Sequence, residues 1–165
     1  SILNDWKVTQ LLDKNITINT KYLRGLSWIK RLDGNLILYL IKDSKSLDVT
    51  CQRFFINTKE KKILFDFLNL KKDLNSNKKE FLNFSPSRWT NFIEEHHLDI
   101  ETIKLIISEG GIFWKSFFRW LFIYRFIKSK KDGETLKKEG WKPGKEMGKE
   151  IKRLRYLEID KLNRN

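Results

Sequence analysis

Leu36-Ile37-Leu38-Tyr39-Leu40-Ile41 is the stretch on which the fold class turns. An unbroken apolar run of this length suits a buried strand as well as a buried helix, and periodicity alone does not separate the two. A strand needs a partner, however, and period-two alternation bounded by Gly or Asn-Gly turns hardly occurs elsewhere in the chain. Apolar residues recur instead at i, i+3 and i+4. The run is therefore read as helix. The expected fold is all-α, an irregular bundle of about seven to nine helices ending in a long basic amphipathic helix.

Working outward, Thr20–Leu32 reads as a helix with Leu23, Leu26 and Ile29 on one face, stopped by Asp33-Gly34. Ser46–Phe55 reads as a short helix. Asn57-Thr58-Lys59-Glu60 is a capping-box pattern, with Ile63, Leu64, Phe67, Leu68 and Leu70 as the inward stripe behind it. The polar stretch Leu74–Lys79 is the expected joint, which divides the chain into a helical body, 1–75, and a C-terminal body and tail, 76–165. Ser85-Pro86-Ser87 then opens a helix carrying Trp89, Phe92 and Ile93, since proline suits the first helical position. Asp99 caps Ile100–Glu109, which Gly110-Gly111 closes. The segment Phe113–Ile127 is apolar nearly all round and is expected to be a central core helix. It is shorter than the ~20 apolar residues a membrane span needs, and it carries Lys115, Arg119 and Arg125.

The composition fits this reading. A chain of 165 residues with 40% apolar and 13% aromatic side chains, 8 Gly and 2 Pro is long enough for its own core, and is neither low-complexity nor disordered. One cysteine, Cys51, excludes a disulfide framework and a zinc knuckle, and points to a reducing, cytoplasmic setting. The formal net charge of +13 favours a polyanion as partner. Part of that charge is compositional: alanine is absent while Lys, Asn, Ile and Phe abound, as AT-rich coding produces. Ser1-Ile2-Leu3-Asn4-Asp5-Trp6 has neither Met nor a signal pattern, and the chain is read as part of a longer protein.

The chemistry concentrates near the C-terminus, in Asp132-Gly133-Glu134-Thr135-Leu136-Lys137-Lys138-Glu139-Gly140-Trp141-Lys142-Pro143-Gly144-Lys145-Glu146-Met147-Gly148. Asp132 should cap a short helix that Gly140 ends. Pro143-Gly144 should start the last helix, whose first N–H groups and positive dipole end seat a phosphate. Gly144 and Gly148 share a face that would allow close packing. Met147, Ile151 and Leu154 should point inward. Lys145, Lys149, Lys152 and Arg153 form a basic stripe that Tyr156 continues, although Glu146 and Glu150 offer those cations partners.

Leu136, Gly140, Pro143-Gly144, Met147-Gly148 and Ile151, preceded by Asp132, resemble the C-terminal signature of bacterial class II CCA-adding tRNA nucleotidyltransferases and the related poly(A) polymerases. Leu3–Trp6 resembles the link into that family's helical body, and Ser85–Glu109 its helix pair before the tail. Lys145 departs from the family, which often has a second proline there; the aromatic 113–127 segment departs too. The resemblance implies a non-catalytic, RNA-binding part that grips the tRNA acceptor stem and elbow through the backbone. The family's Mg2+ and its CTP or ATP belong to an N-terminal head and neck whose motifs are not found in this chain, so no cofactor is expected here. A-form stems are held by shape, phosphate and 2′-OH contacts. The RNA-binding candidates are Lys142, Lys145, Lys149, Lys152 and Arg153, with Gly144 as a bare amide and Trp141 for a ribose or base. Arg119 and Arg125 are weaker candidates.

Other clusters carry less. His96-His97 point ~100° apart on a helix and have no third ligand nearby. The acidic pairs Asp99/Glu101 and Glu158/Asp160 lie among salt-bridge partners. Cys51 reads as a small buried apolar residue, and Trp28, Trp89, Trp114 and Trp120 as core. Two rival functions remain. One is a protein-interaction module docking a partner through helix 113–127; the other is peripheral binding to an anionic membrane through Lys115, Arg119 and Arg125. Nothing in the sequence fixes the oligomeric state.

Overall fold

The structure is a computed structural model that describes residues 19–162. These form ten α-helices and one 3₁₀ turn, with no strand among the described residues. The elements are α1 Thr20–Arg31, α2 Leu36–Ile41, α3 Leu47–Arg53, α4 Thr58–Ser76, α5 Lys78–Phe81, α6 Pro86–Glu95, α7 Ile100–Glu109 and α8 Trp114–Phe122, then the 3₁₀ turn Tyr124–Phe126, α9 Gly133–Lys138 and α10 Lys145–Lys161. The fold is all-α. Leu3–Trp6 lies outside the described residues.

The decisive apolar run is a helix because Asn35 caps it, its side-chain oxygen accepting from the Ile37 and Leu38 amides at 3.0 and 3.2 Å. Asn35 is itself held from two sides: its amide donates to Glu101 and its Nδ2 to Glu60. Leu38, Tyr39 and Ile41 are buried, while Leu36 and Ile37 face out.

Two compact units divide these elements. The first takes the described residues up to Lys78 and also Leu98–Phe117; the second takes Lys79–His97 and the chain from Phe118 onward. The sequence-based division at 75/76 is linear, whereas the units are not, since α7 and the start of α8 return to the first. The polar stretch expected as a joint is mostly helix. Leu74 is buried, four residues beyond buried Leu70, so the α4 stripe simply continues to the C-cap at Asn77.

In the first unit, α1 buries Tyr22, Gly25 and Ile29, whereas Leu23 is 38% exposed. The expected face was thus rotated, and Gly25 supplies the reason. A Cβ there would strike the Tyr39 hydroxyl and stand 2.5 Å from the Ser108 carbonyl oxygen, so only glycine lets α1 approach α2 and α7 this closely. Leu64, Phe67 and Ile103 are fully buried around the same core, each worth about 1.5–3 kcal/mol of transfer free energy. The capping box at Asn57 and Glu60 forms as expected, and Cys51 is buried. Sequence reasoning missed Lys42. It is 2% exposed, paired with Glu109 at 2.7 Å and with Asp43, and lies 4.8 Å from the Tyr39 ring centroid.

In the second unit, Ser85 and Pro86 start α6 as expected, and Phe81 stacks on Trp89 at 5.4 Å with Phe92 edge-on to Trp89 at 6.0 Å. The aromatic segment is not one core helix. Trp120, Leu121 and Tyr124 are buried, but α8 ends at Phe122 and Phe122, Ile123 and Phe126 are 50%, 46% and 62% exposed. The exposed side mixes these apolar residues with Lys115 and Arg119.

Candidate nucleic-acid interface

The candidate residues sit on α9, α10 and the loop between them. Asp132 begins α9 by accepting from the Thr135 amide at 2.9 Å and its hydroxyl at 2.8 Å, bonds that hold the Asp132 carboxyl below its ordinary range. Leu136 is 1% exposed and anchors this short helix. Its end is a full Schellman motif: the Trp141 amide bonds Leu136 O, the Gly140 amide bonds Lys137 O, and Gly140 sits at φ 93°.

The chain then runs exposed from Glu139 to Glu146. Gly144 is the N-cap of α10, at φ 156° and ψ −169°, backbone that is essentially glycine-only. No side chain caps the helix, so the amides of its first turn face outward with the positive end of the dipole. Lys142 and Lys145 flank this start, exposed and with no acidic partner among the described residues. Trp141 is 38% exposed beside them. The sequence-based expectation that Gly144 and Gly148 serve close packing fails: a Cβ at either would meet nothing within 4 Å. Gly144 is glycine for its backbone conformation, and Gly148 stands in the open.

The rest of the stripe is mixed with acids. Lys149 pairs with Glu146 at 2.8 Å, and Arg153 grips Glu150 with two hydrogen bonds of 2.7 Å, which lower the Glu150 pKa and raise that of Arg153. Lys152 belongs to the packed side of the helix, bonding Glu95 at 3.3 Å with its ammonium 5.5 Å from the Tyr156 ring. Tyr156 does not extend the stripe, since its hydroxyl donates to Asn91 Oδ1 at 2.8 Å. Arg119 is exposed on α8 and has a partner. Arg125 lies 4.5 Å from the Phe126 ring centroid, its buried Nε without an acceptor among the described residues. The structure thus brings Trp141, Lys142, Gly144, Lys145 and Lys149 together and leaves Arg119 and Arg125 on a different element.

Arg155, which sequence reasoning passed over, is the main tie of α10. It bonds both Glu94 oxygens at 2.8 Å and donates to the Ile127 carbonyl at 2.7 Å. With Asp160 accepting from the Ser87 amide and hydroxyl, these contacts pair α10 antiparallel with α6. The recurrence of 152, 155, 156, 159 and 160 was the available signal, obscured by the polarity of those residues.

The acidic residues are otherwise engaged. Asp99 caps α7, Glu101 accepts from Asn35 and Lys104, Glu158 pairs with Lys130 and Lys161, and Asp160 holds Ser87. No group of three metal-ligating side chains exists among the described residues. His96 bonds Phe92 O at 2.8 Å. The chain matches no family model, no curated protein and no solved structure.

Proposed function

We propose that the C-terminal unit grips structured RNA by its phosphate backbone, as the non-catalytic RNA-holding part of a tRNA nucleotidyltransferase of the CCA-adding or poly(A) polymerase type. The observation that carries this reading is the uncapped start of α10 at Gly144 between the exposed, unpaired Lys142 and Lys145. A phosphate placed there receives backbone N–H groups, the helix dipole and two ammonium groups together. Lys149 and Arg153 add weaker attraction, because each must first leave a carboxylate neighbour. Trp141 offers a flat apolar surface for a ribose or base. On this reading the partner is tRNA or another structured RNA in the cytoplasm. The 3′-end chemistry, with its Mg2+ and CTP or ATP, belongs to a head and neck that also pack against this chain.

Fluorescence anisotropy of labelled tRNA lacking its 3′ CCA, titrated across a salt series, tests it. Preference over a length-matched unstructured RNA, with log Kd rising steeply with log salt, supports the reading. Equal weak binding of both RNAs reduces the charge to nonspecific attraction, and no binding near physiological salt removes the proposal.

A second reading has its own observation. Phe122, Ile123 and Phe126 expose 46% or more of their area within five residues, as a surface that docks another protein does. If Phe122→Ser and Phe126→Ser abolish a partner's binding while charge reversal at Lys145 does not, the interaction module replaces the RNA reading. No helix of the described residues is long and apolar enough to cross a membrane.

A further inference from the structure

Helix α7 ends at Glu109, and Gly110 and Gly111 follow with φ of 76° and 86°, turning the chain sharply away. Beside this turn, within the first unit, lies a cavity of about 400 Å³, a volume that takes a small ligand. Trp28 of α1 and Trp114 of α8 line it, their rings 5.9 Å apart and tilted by 47°. Lys21 and Arg24, both exposed, line it as well.

Each of these features asks for a different part of one ligand. A pair of indoles favours a flat aromatic ring. Arg24 has no acidic partner among the described residues and presents a fork suited to phosphate. Among the described residues the one acid at the cavity is Glu109, and its charge is already balanced by buried Lys42 at 2.7 Å and by Lys71 at 3.1 Å. Lys21 also reaches Glu109 at 3.2 Å, but at 65% side-chain exposure it can turn to a ligand without leaving that carboxylate bare. The excess charge at the cavity is therefore positive.

We propose that this cavity binds a nucleoside monophosphate, with its base against Trp28 and Trp114 and its phosphate on Arg24 and Lys21. A sugar phosphate would leave the indoles unused, and an uncharged heterocycle would leave the cations unused. The proposal stands apart from the RNA reading, because none of its residues belongs to α9 or α10.

Isothermal titration calorimetry of the 165-residue chain with adenosine 5′-monophosphate tests it. The expected result is saturable one-to-one binding, about tenfold or more tighter than adenosine, ribose 5-phosphate or inorganic phosphate alone. Arg24→Glu should weaken binding about tenfold, while Lys149→Glu, which disrupts only the RNA stripe, should leave it unchanged. Thermal unfolding checks that each variant is folded; if Arg24→Glu is not, Lys21→Glu takes its place. Displacement of the nucleotide by a 5′-phosphorylated trinucleotide supports the same cavity with a strand end as the source, and its failure to displace supports a free nucleotide. Nucleotide binding no tighter than inorganic phosphate, or wild-type affinity in both charge-reversal variants, overturns the proposal.

Discussion

Arg155 holds Glu94 with both arms of its guanidinium, each nitrogen 2.8 Å from a carboxylate oxygen, while its Nε donates to the Ile127 carbonyl at 2.7 Å. At 19% exposure the arginine is largely shielded, and the fork ties α10 both to α6 and to the end of the 3₁₀ turn. Arg155→Ala leaves a half-buried carboxylate and a carbonyl without their donor, a loss of about 2–3 kcal/mol. Arg155→Lys should recover less than half, because an ammonium cannot span both oxygens and the carbonyl. Urea unfolding measures this, and an alanine variant within about 0.5 kcal/mol of wild type would show the fork to be ornamental.

Glu109 gives the first unit an acid-sensitive core. Burial by itself would push its carboxyl up; the hydrogen bond and charge of Lys42, with the charge of Lys71, outweigh burial and hold the pKa at about 2. The folded value lies below the ordinary carboxylate value of 4.5. Its stabilisation is therefore complete above pH 4.5 and is lost as pH falls toward 2. Glu109→Gln removes that acid dependence. It also leaves Lys42, which is 2% exposed, with Asp43 as its remaining acidic partner, and should lower stability at pH 7 by about 1–3 kcal/mol. Unfolding titrations at pH 7, 4.5 and 3 separate the two effects: the gap between wild type and variant should change little from pH 7 to 4.5 and narrow by pH 3, and a gap constant throughout would refute the assignment.

Where a helix begins or ends on a capping residue, the sequence was legible almost to the residue. Asn57 with Glu60, Ser85 with Pro86, Asp99, Asp132 and Gly140 all act as their local chemistry requires. Faces were harder. On α1 the buried row follows Gly25, whose value lies only in the approach of Tyr39 and Ser108, and no local pattern announces such a contact. Segment 113–127 misled because Phe122, Ile123 and Phe126 are as apolar as its buried residues yet lie exposed. The basic residues of α10 were visible as a stripe, but not which cations would be taken up by acids on α6: Glu94 and Glu95 lie some sixty residues away in sequence. Lys42, beside apolar Ile41, carried no sign that it would be buried with Glu109.

Gly144 and Gly148 should respond oppositely to alanine. Neither has a neighbour within 4 Å of a new Cβ, so packing is removed from the comparison. Gly144→Ala forces alanine into φ 156°, ψ −169° and should cost about 1–3 kcal/mol, or shift the start of α10. Gly148→Ala lies inside the helix at an exposed position and should stabilise by up to about 1 kcal/mol. Thermal unfolding of the two variants, with circular dichroism for helix content, decides it. Equal effects would mean that the backbone at Gly144 is not held as described.

Lys145 and Lys152 are both basic and lie about two turns apart on α10, which gives them different work. Lys145 is exposed and unpaired at the helix start, whereas Lys152 bonds Glu95 at 3.3 Å and lies over Tyr156. Lys145→Ala should therefore leave stability within about 0.5 kcal/mol of wild type while weakening RNA binding and reducing the log–log salt slope by about 1. Lys152→Ala should leave the salt slope unchanged and lower stability slightly, by less than about 1 kcal/mol, as befits a partly exposed ion pair. Measuring Kd for tRNA at several salt concentrations beside urea unfolding of the same samples checks both. Should Lys152→Ala change the slope as much as Lys145→Ala, the RNA lies along the side of α10 rather than at its start, and the role given to Gly144 falls with it.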